Sequence, residues 1–417
     1  MCLIIHFKLF IILYHYNSST IINKYIINCS KLIKKFVMSE RTIYCKRCIL
    51  HDGFLGLEID GDGLCNFCVN PNHKNVNWSK VLVNSNLKKE SLSEWNNIVK
   101  DIKEFRGKHN YDCVIGYSGG KDSTALLDLI INSYNLTPLA ITVNTGFMTD
   151  TANENIKDTL EKLNVEHIFV NDAVKTFEKL YQYLFMNHNS NVKCLTKEVC
   201  DFCSDLLHSI VVNEALKRNI GYVLFGYSPD QISRYFFEVP KSEILFAWKP
   251  KFLNNAPFNN KDREWYINPN EEANNLIPRV ILPYHVLNYQ EDKIIETIEN
   301  KNLIKKGNAD PIKTNCNVVG AMLFYDINRY GGIPYALQYA ELTRQDPTIR
   351  KKWLRTIKMM APLIRDAKFK EKGVKEFFDK TGISKEELIK EIQVQLNKDP
   401  NKNKILKYLN SIKNKKT

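Results

Sequence analysis

From residue 112 onward the chain alternates short apolar runs with longer amphipathic ones. The runs 112–117, 138–144 (Pro-Leu-Ala-Ile-Thr-Val-Asn), 166–170 and 221–226 have the length and β-branched content of strands. Between them, residues 121–133, 150–163, 173–186 and 203–218 carry apolar positions at helical spacing. Strands alternating with helices predict an α/β fold, a parallel sheet covered by helices on both faces. Further helices are expected over 91–106 and, after the run Pro278–Pro283, over 291–302; from Ala336 to the end the pattern is helical. Residues 235–275 interrupt the alternation with Tyr235, Phe236, Phe237, Phe246, Trp248, Trp265 and Tyr266. They read equally as a substrate lid or partner surface and as a local packing cluster.

The chain divides into four parts. Residues 1–37 hold five lysines, no acidic residue and an apolar piece, Leu9–Tyr14, too short to span a bilayer. They read as upstream or leader sequence ahead of a cytosolic start at Met38. Residues 38–75 form a cysteine-bearing unit, 76–320 the α/β domain with 235–275 inserted, and 321–417 a helical region with a basic tail. The net charge of +13 is concentrated at the ends, with +5 in residues 1–37, +6 in residues 366–417 and +2 between them. The tail suits RNA phosphates, or it is a solvated lysine-rich face.

The strand before residue 118 runs into Ser118-Gly119-Gly120-Lys121-Asp122-Ser123, and a helix follows. A strand, a glycine turn and a helix start set a row of N–H groups at the positive end of a helix dipole. That is an anion site suited to phosphate. Gly119 and Gly120 admit the phosphate, Lys121 adds charge, and Ser118 and Ser123 add hydroxyl donors. The spacing is not that of a Walker loop. In a parallel sheet two further segments share this carboxyl edge: Asn144-Thr-Gly-Phe147, and Gly226-Tyr-Ser-Pro-Asp230-Gln231. Asp230 is placed to hold magnesium or to activate an acceptor, or it is a turn residue in a Ser-Pro-Asp corner.

The cysteines make two groups. Cys45-x-x-Cys48 and Cys65-x-x-Cys68, 16 residues apart, have the spacing of a four-thiolate zinc site. Cys200-x-x-Cys203 and the later Cys316 give three thiols, too few for a structural zinc site. They suit a [4Fe–4S] cluster with one open iron, a persulfide-carrying dithiol, or plain burial. Cys203 is expected to open its helix. Cys194 is near enough to act as a spare sulfur carrier, and Cys113 reads as core.

The Ser118–Ser123 hexapeptide resembles the loop of the PP-loop ATP pyrophosphatases. That resemblance implies a Rossmann-like sheet of the adenine nucleotide α-hydrolase type that binds ATP with Mg2+. An acceptor oxygen would attack the α-phosphorus and pyrophosphate would leave into the loop. It casts Lys121, Asp122 and Asp230 as catalytic residues. Ser118, Gly119, Gly120, Ser123, Asn144 and Gly226 would be nucleotide contacts. The family's G-H-x-x-D-D signature is broken here by Tyr227 and Gln231. Tyr44-Cys-Lys-Arg-Cys-Ile-Leu, Asp60-Gly-Asp-Gly-Leu-Cys-Asn-Phe-Cys68 and Ser118–Ser123, over about 38–145, resemble the N-acetyl sugar amidotransferases of surface-polysaccharide biosynthesis. Cys200-x-x-Cys203 with Cys316, over about 195–320, resembles the iron–sulfur-dependent tRNA thiolases. The two resemblances imply ammonia from a glutaminase partner or sulfur from a sulfur donor, with the balance toward sulfur. A third reading is a catalytically idle zinc-and-nucleotide scaffold. The expected setting is the cytoplasm, away from membranes. The acceptor is open between a tRNA base, a small molecule and a nucleotide sugar, and homodimerisation is open as well.

Overall fold

The structure is a computed structural model that describes residues 42–69, 85–104, 110–192, 194–228, 231, 235–268, 277–314 and 316–413. Residues 1–37, the linker with Trp78, and Asp230 lie outside the described residues. A helix α1 (Ser85–Glu104) precedes the alternation β1 (Cys113–Gly116), α2 (Lys121–Asn132), β2 (Pro138–Val143), α3 (Asp150–Leu163), β3 (His167–Val170), α4 (Val174–Met186), α5 (Leu195–Lys217) and β4 (Tyr222–Phe225). Then come β5 (Arg279–Ile281) and α6 (Glu291–Asn300). All four strand pairs are parallel, in the order β3-β2-β1-β4-β5. The chain builds outward from β1 in one direction and then in the other. The loops after β1 and β4 therefore leave the sheet side by side, at the crevice where open α/β sheets bind ligands.

The two faces of the sheet are covered by different elements. Cys113 and Ile115 pack with α1, α2, α3 and α6, whereas Val114 between them packs with α4 and α5. This period-2 alternation lets a strand buried on both sides serve two cores. α5 lies across β1, β2 and β4.

The helical C-terminal region begins with α7 (Val318–Tyr330), followed by α8 (Tyr335–Gln345), α9 (Arg350–Arg365), α10 (Glu371–Thr381), α11 (Lys385–Asn397) and α12 (Lys402–Ser411). The helical pattern thus starts at Val318, ahead of the expected Ala336. α7 is buried at nearly every position and touches α5, α9, α10, α11 and α12. A helix covered on all sides has no polar face, so no amphipathic period marks it in the sequence. Gly320 permits one of these approaches, since a Cβ there would meet Val374 Cγ2 at 2.7 Å and Phe369 O at 3.1 Å.

The aromatics of 235–268 are packing residues. Trp248 is fully buried and donates Nε1–H to the Tyr235 hydroxyl at 2.9 Å. Phe252 stacks on Tyr183 with ring centroids 4.6 Å apart. Of the two expectations for this segment, the packing cluster describes these rings, although Phe246 stays 61% exposed. Among the described residues no helix is long and apolar enough to cross a membrane.

Candidate functional site

The loop between β1 and α2 is built by local sequence. Gly119 has φ 72°, and a Cβ there would stand 2.4 Å from the Ala152 carbonyl oxygen, so only glycine fits. Gly120 is the N-cap of α2 and supplies no side-chain cap. The Ser118 N–H donates to Ser123 Oγ at 3.3 Å, and the Gly120 N–H to Ser118 Oγ at 3.4 Å. Asn155 donates Nδ2–H to the Gly119 carbonyl at 2.9 Å, bracing the turn from α3. Gly226, after β4, packs on the first turn of α2, where an added Cβ would meet Asp122 O and Ser123 Cα at 2.9 Å.

Lys121 and Asp122 are buried and in contact, with Lys121 Nζ 2.8 Å from Asp122 Oδ2. Burial opposes the lysine's charge, but Asp122 and Glu291 outweigh it and hold the ammonium's pKa above its ordinary value. Asp122 Oδ1 accepts from the Tyr289 hydroxyl at 2.7 Å, and Oδ2 accepts from Gln231 Nε2 at 3.0 Å. Gln231, which breaks the G-H-x-x-D-D pattern, is thus joined to the loop. Tyr289 and Glu291 escaped sequence reasoning; their signal was position, just beyond the carboxyl end of the fifth strand. Asn144 accepts the Gly146 N–H on Oδ1 at 2.8 Å and donates Nδ2–H to Asn171 Oδ1 at 2.9 Å. It shapes the loop after β2.

α5 starts at Leu195, eight residues before the expected start, so Cys203 lies inside it rather than opening it. Two signals hid this start. Cys194 is an unusual N-cap, its Sγ accepting the Lys197 N–H at 3.4 Å, and a carboxylate on α7 completes the cap. Asp326 Oδ1 accepts the Leu195 N–H at 2.7 Å and Oδ2 the Thr196 N–H at 3.0 Å. Burial pushes the Cys194 thiol up to about 12. Cys113 is fully buried in β1, and its thiol is pushed up by that burial.

Because α5 leads into the start of β4, its N-terminal half, with Cys200 and Cys203, sits beyond the carboxyl edge of the strands. Cys316 arrives at the same edge, since the next residue, Asn317, donates its N–H to the Phe147 carbonyl in the loop after β2 at 2.8 Å. Phe147 is edge-on to Tyr181, with centroids 5.4 Å apart, and the Tyr181 hydroxyl lies 3.2 Å from Cys203 Sγ. The three thiols feel one another. Burial first and the Cys316 sulfur second push the half-buried Cys203 thiol up to about 12, while the Cys200 side chain is exposed. Such a group resists ionisation unless a cation shares its charge.

Cys45, Cys48, Cys65 and Cys68 are buried, and their sulfurs all lie within 4.8 Å of one another. Among the described residues this is the one set of three or more His, Cys, Asp or Glu donors so close; Cys200, Cys203 and Cys316 do not form such a set. The separation suits a metal. A tetrahedral tetrathiolate with bonds of about 2.3 Å has edges of about 3.8 Å, and Cys48 Sγ lies 3.7 Å from Cys65 Sγ. The Cys65 N–H points at Cys45 Sγ at 3.3 Å. Hydrogen bonding from Cys48, the largest influence, holds the Cys45 thiol well below its ordinary range.

No family model matches the chain. An uncharacterized protein of Methanocaldococcus jannaschii is 33% identical over 82 residues, which is 19% of this chain and 29% of that protein. The chain therefore matches less than a third of that relative's length. Three solved structures are similar at low scores. A U34-tRNA thiolase from Methanococcus maripaludis with its [4Fe-4S] cluster has TM-score 0.32 and 14% identity, over 70% of this chain and 80% of that one. An NH3-dependent NAD synthetase from Campylobacter jejuni has TM-score 0.30 and 13% identity, over 66% and 96%. An NMN synthetase from Francisella tularensis has TM-score 0.29 and 14% identity, over 62% and 93%. Likeness of this extent assigns no activity to this chain.

Proposed function

We propose that this chain is an AMP-forming ATP pyrophosphatase that activates an acceptor oxygen and exchanges it for sulfur. One observation carries the reading: Cys200, Cys203 and Cys316 gather at the carboxyl edge that also holds the Ser118–Ser123 loop. A sulfur-handling group and a phosphate-gripping loop would then serve one substrate.

In this reading the acceptor oxygen bonds to the α-phosphorus of ATP as the bond to the β-phosphate bridge breaks. Pyrophosphate leaves with that electron pair, onto the N-terminus of α2 and Lys121. Sulfur then attacks the activated carbon, and AMP departs with the original oxygen. Tyr289 and Gln231 fix the Asp122 carboxylate, and Asp122 holds the Lys121 ammonium for the leaving group. Asp230 is proposed to hold the magnesium that accompanies ATP. Cys45, Cys48, Cys65 and Cys68 would hold a structural zinc ion. Cys200, Cys203 and Cys316 would hold three irons of a [4Fe–4S] cluster, whose open iron supplies a binding place for sulfide.

The competing reading uses ammonia from a glutaminase partner, as the resemblance of residues 38–145 implies, and has no need of the second thiol group. Both are tested by incubating the protein with ATP and fractionated pools of RNA and of small molecules. The sulfur reading expects AMP and pyrophosphate, with label from radioactive sulfide entering the acceptor. Formation of ADP and phosphate would defeat both readings, and incorporation of labelled ammonia would establish the alternative.

A further inference from the structure

Lys121 already has partners. Its Nζ lies 2.8 Å from Asp122 Oδ2, 3.3 Å from Glu291 Oε1 and 3.5 Å from the Tyr289 hydroxyl oxygen. A lysine ammonium has three protons to give, and these three oxygens account for them. A phosphate that seats on the N-terminus of α2 must take one of these places.

The three partners are not held alike. Asp122 is the next residue of the same helix and only 11% exposed at its side chain, and both of its carboxylate oxygens are committed, one to Tyr289 and one to Gln231. Tyr289 is anchored by donating its proton to Asp122 at 2.7 Å, and its ring is edge-on to Tyr284 with centroids 5.4 Å apart. Glu291 differs. Its side chain is 55% exposed, it sits in the first turn of α6, and its ion-pair partner among the described residues is Lys121. It can swing into water, where its charge is fully solvated, while Lys121, 7% exposed, cannot follow. Of the three, Glu291 is the partner that leaves at least cost.

We propose that Glu291 is a displaceable counter-ion of the phosphate loop: it neutralises Lys121 until a nucleotide phosphate takes its place, and so sets nucleotide affinity. This inference rests on the ATP reading above and adds a residue to it. The ion pair adds a second counter-charge to a buried ammonium already paired with Asp122, and it lowers nucleotide affinity twice, through competition for Lys121 and through repulsion of the incoming phosphate. Because Glu291 is half exposed, the effect is modest and salt-sensitive.

The test measures ATP dissociation constants by calorimetry, with magnesium, on the whole chain at low and at high salt. The variants are Glu291→Gln and Asp292→Asn, the second removing a charge from the same helix turn without touching Lys121. Thermal unfolding checks that both are folded. Glu291→Gln is expected to tighten ATP about two- to five-fold at low salt, with the gain shrinking at high salt, and Asp292→Asn to change it far less. Equal or weaker binding by Glu291→Gln would overturn the proposal, the weaker outcome marking Glu291 as a contact to the magnesium nucleotide instead. An equal gain in Asp292→Asn would also overturn it, by reducing the effect to the general field. If the unaltered protein binds no ATP, the underlying ATP reading fails, a result distinct from a latch that fails while binding persists.

Discussion

The Arg350 guanidinium donates from Nε to the Cys48 carbonyl oxygen at 2.8 Å, across 302 residues of chain. Its Nη2 reaches the Cys45 carbonyl at 2.5 Å, so the first C-x-x-C turn is fastened to the start of α9. His51 adds a second fastening, its Nε2 lying 2.7 Å from the Gly331 carbonyl oxygen and its ring stacking on Tyr408 at 3.7 Å. The cysteine unit and the C-terminal helices therefore share one core. Arg350→Ala leaves two carbonyls without this donor and is expected to lower stability by about 1–3 kcal/mol. Chemical denaturation reads the loss; an unchanged midpoint would show that the clasp contributes nothing.

Elemental analysis should find about one zinc per chain in the purified protein. A Cys45→Ser, Cys65→Ser double variant should lose it and should unfold at lower temperature, because so small a unit leans on its metal. A stable, soluble, zinc-free protein would refute the structural-zinc assignment.

Removing Lys121 strips the loop of its buried cation. Lys121→Ala is expected to weaken ATP binding about 10- to 100-fold, the size of one or two charge-assisted hydrogen bonds, with the far-UV circular dichroism unchanged. Retained affinity would remove Lys121 from the nucleotide site.

The site was only partly legible in the sequence, for physical reasons that differ by element. Ser118–Ser123 and the four clustered cysteines are local motifs, since spacing along the chain fixes spacing in space when a turn lies between. The expected α3 bounds, 150–163, matched the structure because Thr149 caps the helix and Asn164 ends it in a left-handed conformation. The roles of Tyr289, Glu291, Gln231 and Asp326 are long-range. Each acts on a partner more than 100 residues away, which no window of sequence displays. Lys121 to Glu291 is such a pair as well.

Asp326, which caps α5 from α7, gives the protein a pH signature. Burial is the largest influence on its carboxyl and raises the pKa from 3.8 to about 6, against the three donors of Leu195 and Thr196. The folded state then binds the proton more tightly than the unfolded chain does. Its contribution is fully present below about pH 4 and is lost as pH rises toward 6, a change of about 3 kcal/mol. Denaturation at intervals between pH 4 and 7 should show a decline in the parent protein that Asp326→Asn lacks. Parallel profiles for the two proteins would contradict this.

Tyr181 tests whether the thiol group is more than core. Tyr181→Phe removes the hydroxyl 3.2 Å from Cys203 Sγ while preserving the ring against Phe147. If Cys203 holds a cluster, loss of that hydrogen bond should speed bleaching of the visible absorbance in air, with stability changed by less than about 1.5 kcal/mol. Bleaching at the parent rate would mean the hydroxyl has no part in the site.

The central claim, that sulfur chemistry is joined to the phosphate loop, rests on Cys200, Cys203 and Cys316. Its most direct measurement is the iron and sulfide content of the anaerobically purified protein, with the visible spectrum, before and after changing each of the three cysteines to serine. The expected result is a brown protein with about four iron and four sulfide per chain, bleached by any single change among the three and untouched by Cys113→Ser. A colourless, iron-free protein that incorporates ammonia when paired with a glutaminase would contradict it.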